Sequence, residues 1–283
     1  MKRILILSML GFIAVSMASA RSVEEEILRP VTAAYTVGVG SSHLADTYLS
    51  PINYNGFSAS LNYDRWQAMK FNPQSWVMKL AFGVEAERGN NRAGNAVMWY
   101  GGINGSWTMM HRWNIVKGLT LGVGPAANLD LGCLYLERNS NNPVSAKAAV
   151  TVGASGYAAY NMRLGRLPVT FTWQPSLPVI GAFFSPDYGE LYYEIYLGNH
   201  NGLAHCAWWG NYFRFDNLLT ADLHFGATSL RLGYKGRILS TKVNHLVSNN
   251  YTHQFVIGVS GEWLSLNPRK KLSPKAKTYH ALW

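Results

Sequence analysis

Hydrophobic and polar side chains alternate along this chain with a period of two. The segment at 218–239 reads LLTADLHFGATSLRLGYKGRIL. In its first half the odd-numbered and even-numbered positions, which we call the two parities, differ in character. The odd parity is apolar (Leu219, Ala221, Leu223 and Phe225) and the even parity is polar (Thr220, Asp222 and His224). Successive side chains of a β-strand point to opposite faces. The pattern therefore predicts strands with one hydrocarbon face and one face of polar and ionisable groups.

The same alternation recurs from position 31 to position 264, interrupted by stretches rich in Asn, Gly and Pro that are typical of hairpin turns. It predicts twelve strands, at 31–41, 55–68, 75–88, 96–111, 118–137, 143–161, 166–174, 177–184, 189–198, 216–226, 228–241 and 251–264. The Pro-rich stretch 173–190 has an alternative interpretation, a long loop that folds into the barrel. Twelve antiparallel strands in one open sheet would leave two unpaired edges, and closure removes them. We therefore predict an all-β fold, a closed antiparallel up-and-down β-barrel of about twelve strands.

Parity alone does not say which face is inside the barrel. Strands of roughly ten residues or more match a tilted membrane crossing, and Tyr and Trp occur near strand ends, as in the aromatic girdles of membrane barrels. The polar parity also carries both signs of charge, as expected for a salt-bridged lumen. These features favour the outer-membrane type of barrel, with a secreted soluble β-barrel as the alternative.

The N-terminal residues have the pattern of a secretory signal peptide. Lys2 and Arg3 precede an apolar run at 4–15, and SMASA ends on small residues at Ala18 and Ala20. We predict a signal peptide at 1–20, a lead-in at 21–30, a barrel domain at 31–266 and a basic tail at 267–283. Removal of the signal peptide changes the net charge from +10 to +8. The expected location is the cell outer membrane, with the periplasm or the medium as the alternative.

Composition agrees with a barrel whose outer surface is not in water. Charged residues make up 14% of the chain, whereas about 25% is usual for soluble domains. Aromatic residues reach 13% and there are 27 glycines. The two cysteines, Cys133 and Cys206, match no metal-binding spacing and are expected to be free thiols.

Four phrases resemble a family of exported, outer-membrane-like β-barrel proteins from Bacteroidetes whose function is unknown. They are TYLSP (47–51), LPVTFTWQPSLPVIGAFFSPDYGELYYEIYLGN (167–199), DNLLTADLHFGATSLRLGYKGR (216–237) and FVIGVSGEWLSLNP (255–268). The resemblance spans most of the chain after residue 20. It implies a location in the cell envelope, and it supplies no catalytic residue, cofactor or substrate.

The polar parity predicts a network of charges inside the lumen. Its members are Asp222, His224, Arg231, Lys235 and Arg237, with Glu190 and Glu194 as further carboxylates. Charges buried in a barrel are expected to be paired, because an isolated buried charge costs several kcal/mol. A general-base arrangement of Asp222 and His224 beside Ser229 is the alternative for the same face.

An enzymatic role is less well supported than a charge network. The stretch GNHNG (198–202) resembles the active-site strand of outer-membrane phospholipases, in which a His and a Ser stand two apart. Here His200 is followed two positions later by Gly202, so the nucleophile is missing. We assign no catalytic residue, no metal ligand and no cofactor.

Two further segments predict contacts with partners. The aromatic stretch 204–215 contains Trp208, Trp209, Tyr212 and Phe213, which either contact a small solute or glycan or anchor the barrel in the lipid interface. The basic tail is expected to be disordered in the periplasm and to touch anionic lipid or peptidoglycan, not nucleic acid. The sequence does not indicate an oligomeric state.

The function predicted from these features is an outer-membrane barrel of unassigned role. A narrow pore or a small-solute-binding envelope protein with a charged lumen is the first hypothesis. A lipid-modifying hydrolase and a structural or adhesin-like envelope protein are the alternatives.

Overall fold

The computed structural model describes residues 27–264 and 276–282. The predicted signal peptide, residues 21–26 of the lead-in, and residues 267–275 and 283 of the basic tail lie outside the described residues.

Ten long antiparallel strands close into a barrel. They are β2 (Val31–Asp46), β3 (Ser50–Ala68), β4 (Trp76–Asn91), β5 (Val97–Val116), β6 (Leu119–Leu136), β7 (Val144–Leu164), β8 (Leu167–Phe184), β10 (Tyr212–Phe225), β11 (Thr228–Val243) and β12 (Leu246–Trp263). Each strand pairs with its neighbour in sequence, β10 pairs with β8, and β12 pairs with β2 to complete the circle.

Four short elements are attached to this barrel. Strand β9 (Ala204–Trp208) pairs with the last residues of β8, and helix α1 (Tyr192–Tyr196) lies between β8 and β9. Strand β1 (Ile27–Leu28) pairs in parallel with β13 (Lys277–Thr278), which brings the segment 276–282 back to the barrel.

The closed barrel is confirmed, and the strand count is lower than the predicted twelve. The predicted strands 166–174 and 177–184 form the single strand β8, in which Pro178 stands opposite Gly153 at a register shift. Proline is tolerated at such an irregularity because no ladder hydrogen bond requires its missing N–H. The predicted strand 189–198 is instead a loop with α1, bounded by Gly189 and Gly198 at positive φ.

The sidedness of the barrel is that of a membrane protein. On the outer face Leu219, Phe255 and Ile257 are 45%, 56% and 46% exposed, whereas Asp222 and Arg231 are 1% exposed inside. A soluble barrel would have the reverse arrangement. The alternative of a secreted soluble barrel is therefore wrong, and the outer-membrane type is confirmed.

The barrel wall is longer than a membrane crossing requires. Its ten strands have between 14 and 21 residues, and about 9–11 tilted residues suffice to cross a bilayer. Among the described residues no helix is long and apolar enough to span a membrane.

The barrel has two distinct ends. We call the loop end the one with the turns 47–49, 92–96, 137–143 and 244–245 and the long segment 185–211, and the tail end the one with the turns 69–75, 117–118, 165–166 and 226–227 and the segment 276–282. At 244–245 both residues, Asn244 and His245, have positive φ, as a two-residue hairpin turn of type I′ requires.

A charge introduced on the outer face should destabilise the barrel more strongly the closer it lies to the middle of the membrane. Replacement of Ile257, in the middle of β12, by Arg should lower the free energy of unfolding from lipid vesicles by about 2–4 kcal/mol. The matched control is Ile115→Arg near the tail end, because Ile115 continues the outward parity of Trp113 on β5 and is 54% exposed; there the expected cost is about 0–1 kcal/mol. Equal costs at the two positions would contradict this placement of the lipid.

Candidate functional site

Six charged side chains form one continuous chain of ion pairs across the middle of the lumen. In order they are Asp130, Arg214, Asp216, Arg237, Glu85 and Lys235, and we call them the central ion-pair chain. Acids and bases alternate along it, three of each. Arg214 Nε lies 2.6 Å from Asp216 Oδ2, Arg237 Nε 2.8 Å from Asp216 Oδ1, and Lys235 Nζ 2.8 Å from Glu85 Oε1. Such charge-assisted bonds offset the cost of removing the charges from water.

Strand register brings these groups together. Asp216 of β10 stands directly opposite Arg237 of β11, and both share the inward parity of Asp222. Glu85 reaches the chain from β4, on the far side of the lumen, where Lys235 also donates to Asn62 Oδ1 at 2.7 Å. The central ion-pair chain thus joins opposite walls of the barrel.

A second charged cluster lies nearer the tail end. Arg231 binds Asp222 through two bonds of 2.8 Å, and Ser260 donates to the same carboxylate at 2.7 Å. Lys79 lies 3.3 Å from Asp64 and donates to Gln174 at 2.7 Å. The predicted lumen residues Asp222, Arg231, Lys235 and Arg237 are therefore all in ion pairs, though distributed over two clusters.

The predicted lumen roles of Glu190 and Glu194 are corrected by their positions. Both lie in the segment 185–211 at the loop end, because 189–198 is not a barrel strand. Glu190 accepts bonds from Asp187 N and Asn199 Nδ2, and Glu194 accepts one from Leu191 N. Their carboxylates therefore stabilise the fold of that segment. The carboxylates that pair with Arg237 and Lys235 are Asp216 and Glu85.

The sequence pattern already held a signal for the missed residues. Arg214 and Asp216 continue the inward parity of β10. Arg214 lies within the predicted aromatic stretch 204–215, and Asp216 directly follows it. Asp130 stands between Leu129 and Leu131, which are 47% and 41% exposed outside. Asp130 and Asp216 already lie on the polar parity of the predicted strands 118–137 and 216–226, and extension of the second strand to Tyr212 would have added Arg214.

Two cavities lie on either side of the central ion-pair chain. The loop-side chamber has a volume of about 60 Å³ and the tail-side chamber about 110 Å³. Arg214 and Arg237 line both of them. A cavity of about 10–15 Å³ on this measure holds one water molecule, so each chamber has room for several. Only the paired arginines and their neighbours separate the two.

A cluster of buried apolar side chains lies at each end of the lumen. At the loop end the buried cluster contains Leu44, Leu49, Tyr54, Ala96, Met98, Leu134 and Leu136. At the tail end it contains Trp66, Val77, Met110, Tyr157, Ala159, Ala281 and Leu282. Tyr54 and Trp66 are two of the strand-end aromatic residues for which the sequence analysis predicts a place in the lipid interface. This prediction is wrong for them, because they are 1% exposed and belong to these buried clusters.

His224 lies close to the Asp222–Arg231 pair and forms two side-chain hydrogen bonds. Its Nδ1 is 2.6 Å from Ser229 Oγ and its Nε2 is 2.7 Å from Thr170 Oγ1, which in turn donates to Asn161 Oδ1 at 2.6 Å. Because the Thr170 proton is used on Asn161, Nε2 must donate to Thr170 and Nδ1 must accept from Ser229. These side chains line a groove at the tail end.

The aromatic stretch 204–215 is not a free loop. Trp208 is the last residue of β9, and Trp208, Trp209 and Phe213 are 59%, 54% and 39% exposed on the outer wall. Tyr212 instead is buried and lines the loop-side chamber with Phe183. This corrects the grouping of the four side chains into one contact loop.

The segment 185–211 is fastened to the loop end through two tyrosines. Tyr48 Oη donates to Glu190 O at 2.6 Å, and Tyr192 Oη accepts from Ala146 N at 2.6 Å. Burial raises the pKa of the Tyr192 hydroxyl to about 12 and also raises the pKa of Tyr48. Among the described residues no group of three or more His, Cys, Asp or Glu side chains could hold a metal ion.

Residues 3–270 match the family model described as Protein of unknown function (DUF3316). The chain belongs to this family. No curated protein matches the DUF3316 chain.

Solved structures similar to this DUF3316 chain are outer-membrane barrels. The outer membrane protease OmpT from Escherichia coli has a TM-score of 0.51 and 8% identity over 83% of this chain and 97% of that one. The translocator domain of autotransporter NalP from Neisseria meningitidis has a TM-score of 0.37 and 11% identity over 93% and 98%. The beta domain of the Bordetella autotransporter BrkA has a TM-score of 0.39 and 11% identity over 83% and 100%.

At this identity the likeness to OmpT shows the fold alone, and the two lower scores carry no argument. Together with the apolar outer wall, that fold makes the DUF3316 chain a β-barrel of the outer-membrane type and of unassigned role.

Ionisation of Tyr192 should occur near pH 12. Because its folded-state pKa lies above the ordinary value near 10, the stabilisation from its burial is complete below pH 10 and is lost as the pH rises through about 12. Absorbance titrations of the wild type and of Tyr192→Phe should differ by a step near pH 12. Tyr188→Phe is the matched control, since Tyr188 lies in the same segment and is 74% exposed. A Tyr192 step near pH 10 would show that the hydroxyl is not buried.

Proposed function

We propose that this protein is a narrow channel for small polar solutes, closed in the conformation described. The observation that supports it is the pair of chambers on either side of Arg214 and Arg237. A lumen built only as a structural core would be filled with apolar side chains, because well-packed hydrophobic residues are often as stabilising as buried ion pairs. Here the centre of the barrel is polar and is not filled by side chains.

The orientation and export of the protein belong to the same proposal. The long segment 185–211 would lie outside the cell and the tail end in the periplasm, since outer-membrane barrels carry their longer loops outside. The proposal also includes a signal peptide at 1–20 and a source in the Bacteroidetes. The exported protein would then begin at Arg21, which its intact mass would check.

The charges of the lumen define the solutes. Both signs line the path, with no net charge on the central ion-pair chain, which favours small zwitterions and neutral polar molecules over ions of one sign. Passage requires that the arginine side chains move or exchange partners. If the barrel did not open, the same chambers would still bind such a solute. The protein would then be a small-solute-binding envelope protein instead of a channel.

Removal of the two arginines should open the path and select cations. The double replacement Arg214→Ala and Arg237→Ala leaves three acids and Lys235 in the chain, a net charge of −2. In planar bilayers the wild type should show rare small openings, and the variant should show frequent openings with a cation-selective reversal potential.

The control for this experiment is Arg92→Ala, because Arg92 is an exposed arginine in the turn 92–96; it should behave as the wild type. The opposite change, Glu85→Gln with Asp216→Asn, should shift the reversal potential towards anions. If the wild type and both lumen variants insert as folded barrels and never conduct, the channel proposal is wrong.

A second candidate function, acyl transfer, rests on the hydrogen-bond chain through His224. Ser229 Oγ donates to an imidazole nitrogen whose tautomer is set by Thr170 and Asn161, as nucleophilic catalysis requires. Ser229 Oγ would attack an ester carbonyl and pass its proton to Nδ1 of His224; the ester C–O bond then breaks, the leaving alcohol takes that proton from Nδ1, and water afterwards hydrolyses the Ser229 ester. The substrate class would be an ester small enough to enter the groove at the tail end.

A serine-directed fluorophosphonate probe tests this candidate. Ser229 should be labelled, and Ser229→Ala should abolish labelling, whereas His224→Ala should slow it by about 10²–10⁴-fold. Ser248→Ala is the control, because this lumen serine binds Asp46 instead of a histidine. Absence of labelling at Ser229 in the folded wild type would exclude the hydrolase.

A further inference from the structure

The segment 276–282 ends inside the barrel. Ala281 and Leu282 are 0% and 1% exposed, in contact with the tail-end cluster of Trp66, Val77 and Met110. These three side chains belong to β3, β4 and β5, and Tyr157 of β7 lies on the other side of the pocket. Two apolar side chains of the segment therefore fill a pocket that the barrel provides. This corrects the prediction of a disordered tail for residues 276–282.

Arg112 holds the backbone of the segment at the mouth of this pocket. Its Nη1 donates to His280 O at 2.6 Å and to Ala281 O at 3.1 Å. Its other nitrogens donate to Gln74 O and Pro73 O, both at 2.7 Å, which fixes the guanidinium against the turn 69–75. A fixed donor aimed at main-chain carbonyls recognises an extended peptide and not one particular side chain.

Further contacts align the segment in one direction. Its strand β13 pairs in parallel with β1, and Tyr279 N donates to Leu28 O at 2.9 Å. Gln74 Nε2 donates to Tyr279 Oη at 3.0 Å, and His280 Nδ1 lies 2.8 Å from Glu262. Main-chain pairing with pockets for selected side chains is the usual way in which a protein binds an extended peptide.

The pocket also contains a donor that the segment does not use. Trp66 Nε1 is buried and has no hydrogen-bond partner among the described residues. A buried unpaired N–H is costly, so an acceptor on a bound peptide would improve the fit. This observation is independent of the segment's own contacts.

We propose that the tail end of the barrel is a binding site for an extended peptide in which a small residue precedes leucine, and that the chain's own residues 276–282 occupy it. The site selects its ligand by Arg112 on two consecutive carbonyls and by the apolar pocket for the side chains of Ala281 and Leu282. Occupancy closes the lumen at this end, a consequence that rests on the proposed channel. The binding itself does not.

Thiol labelling of the full chain tests occupancy. In a Cys133→Ser, Cys206→Ser background, which removes the two exposed native thiols, Leu282→Cys should react with a maleimide at least about tenfold more slowly than Lys277→Cys, because a buried group reacts only when the structure opens locally. Lys277 is the matched control because its side chain is exposed. Addition of Arg112→Gln should accelerate labelling at position 282 and leave position 277 unchanged. Equal rates at the two positions with Arg112 present would overturn the proposal.

Peptide binding tests the site directly. A labelled synthetic peptide, AKTYHALW, has the sequence of residues 276–283. It should bind the full-length variant Ala281→Asp, Leu282→Asp, whose own segment cannot fill the apolar pocket, and it should bind the wild type at least about tenfold more weakly, because the site is occupied. A peptide with Asp in place of the last Ala and Leu is the control. If the variant is a folded barrel and binds neither peptide, or both equally, there is no such site.

Conductance separates this inference from the channel proposal. The same variant should open more often than the wild type, and the peptide added on the tail-end side should close it. Peptide binding with no conductance in any variant would disprove the channel and leave the peptide site standing. Conductance without peptide binding would disprove the site and leave the channel.

Discussion

Closure of the sheet within lipid is the constraint on which the rest of the structure depends. Hydrocarbon offers no hydrogen-bond partner, so every main-chain group in the wall must pair with a neighbouring strand. The pairing of β10 with β8 and of β12 with β2 meets this requirement. Closure also sorts the side chains by parity, because one face of each strand must meet lipid and the other is enclosed. The inward-facing polar side chains therefore have no solvent except what the lumen supplies.

The lumen satisfies its charges by mutual pairing. The central ion-pair chain alternates acids and bases across the barrel, and Arg231 with Asp222 repeats the arrangement nearer the tail end. Paired charges of this kind fix side-chain positions strongly, since loss of one partner leaves an uncompensated buried charge. Apolar clusters lie at the two ends of the lumen. The barrel therefore has a polar centre between two apolar ends.

The parity of the sequence was sufficient for the closed barrel, because strand formation follows from local alternation. The sidedness was indicated by strand length and by Tyr and Trp near the strand ends. Parity was insufficient where a chain reversal or a local contact overrides alternation. Leu191, Tyr193 and Ile195 alternate with Glu190 and Glu194, yet Gly189 and Gly198 allow the chain to turn and α1 forms. Pro178 interrupts the pattern of β8 without ending the strand.

The site was predicted in part for a similar reason. Asp222, Arg231, Lys235 and Arg237 lie on the inward parity of adjacent strands, so their common face was visible in sequence. Glu85, the partner of Lys235 and Arg237, is distant in sequence and meets them only through the curvature of the barrel, as Asp130 meets Arg214. The insertion of residues 281 and 282 had no signal in the pattern at all, because two apolar residues in a basic tail specify no location.

The seat of Leu282 has a consequence for how the molecule is assembled. Its walls belong to β3, β4, β5 and β7, and β7 is not a neighbour of the other three in the sheet. The pocket therefore depends on the curvature of the wall, which brings side chains of non-adjacent strands together. Residues 281 and 282 can enter only once that curvature is in place, so their insertion follows the folding of this part of the wall.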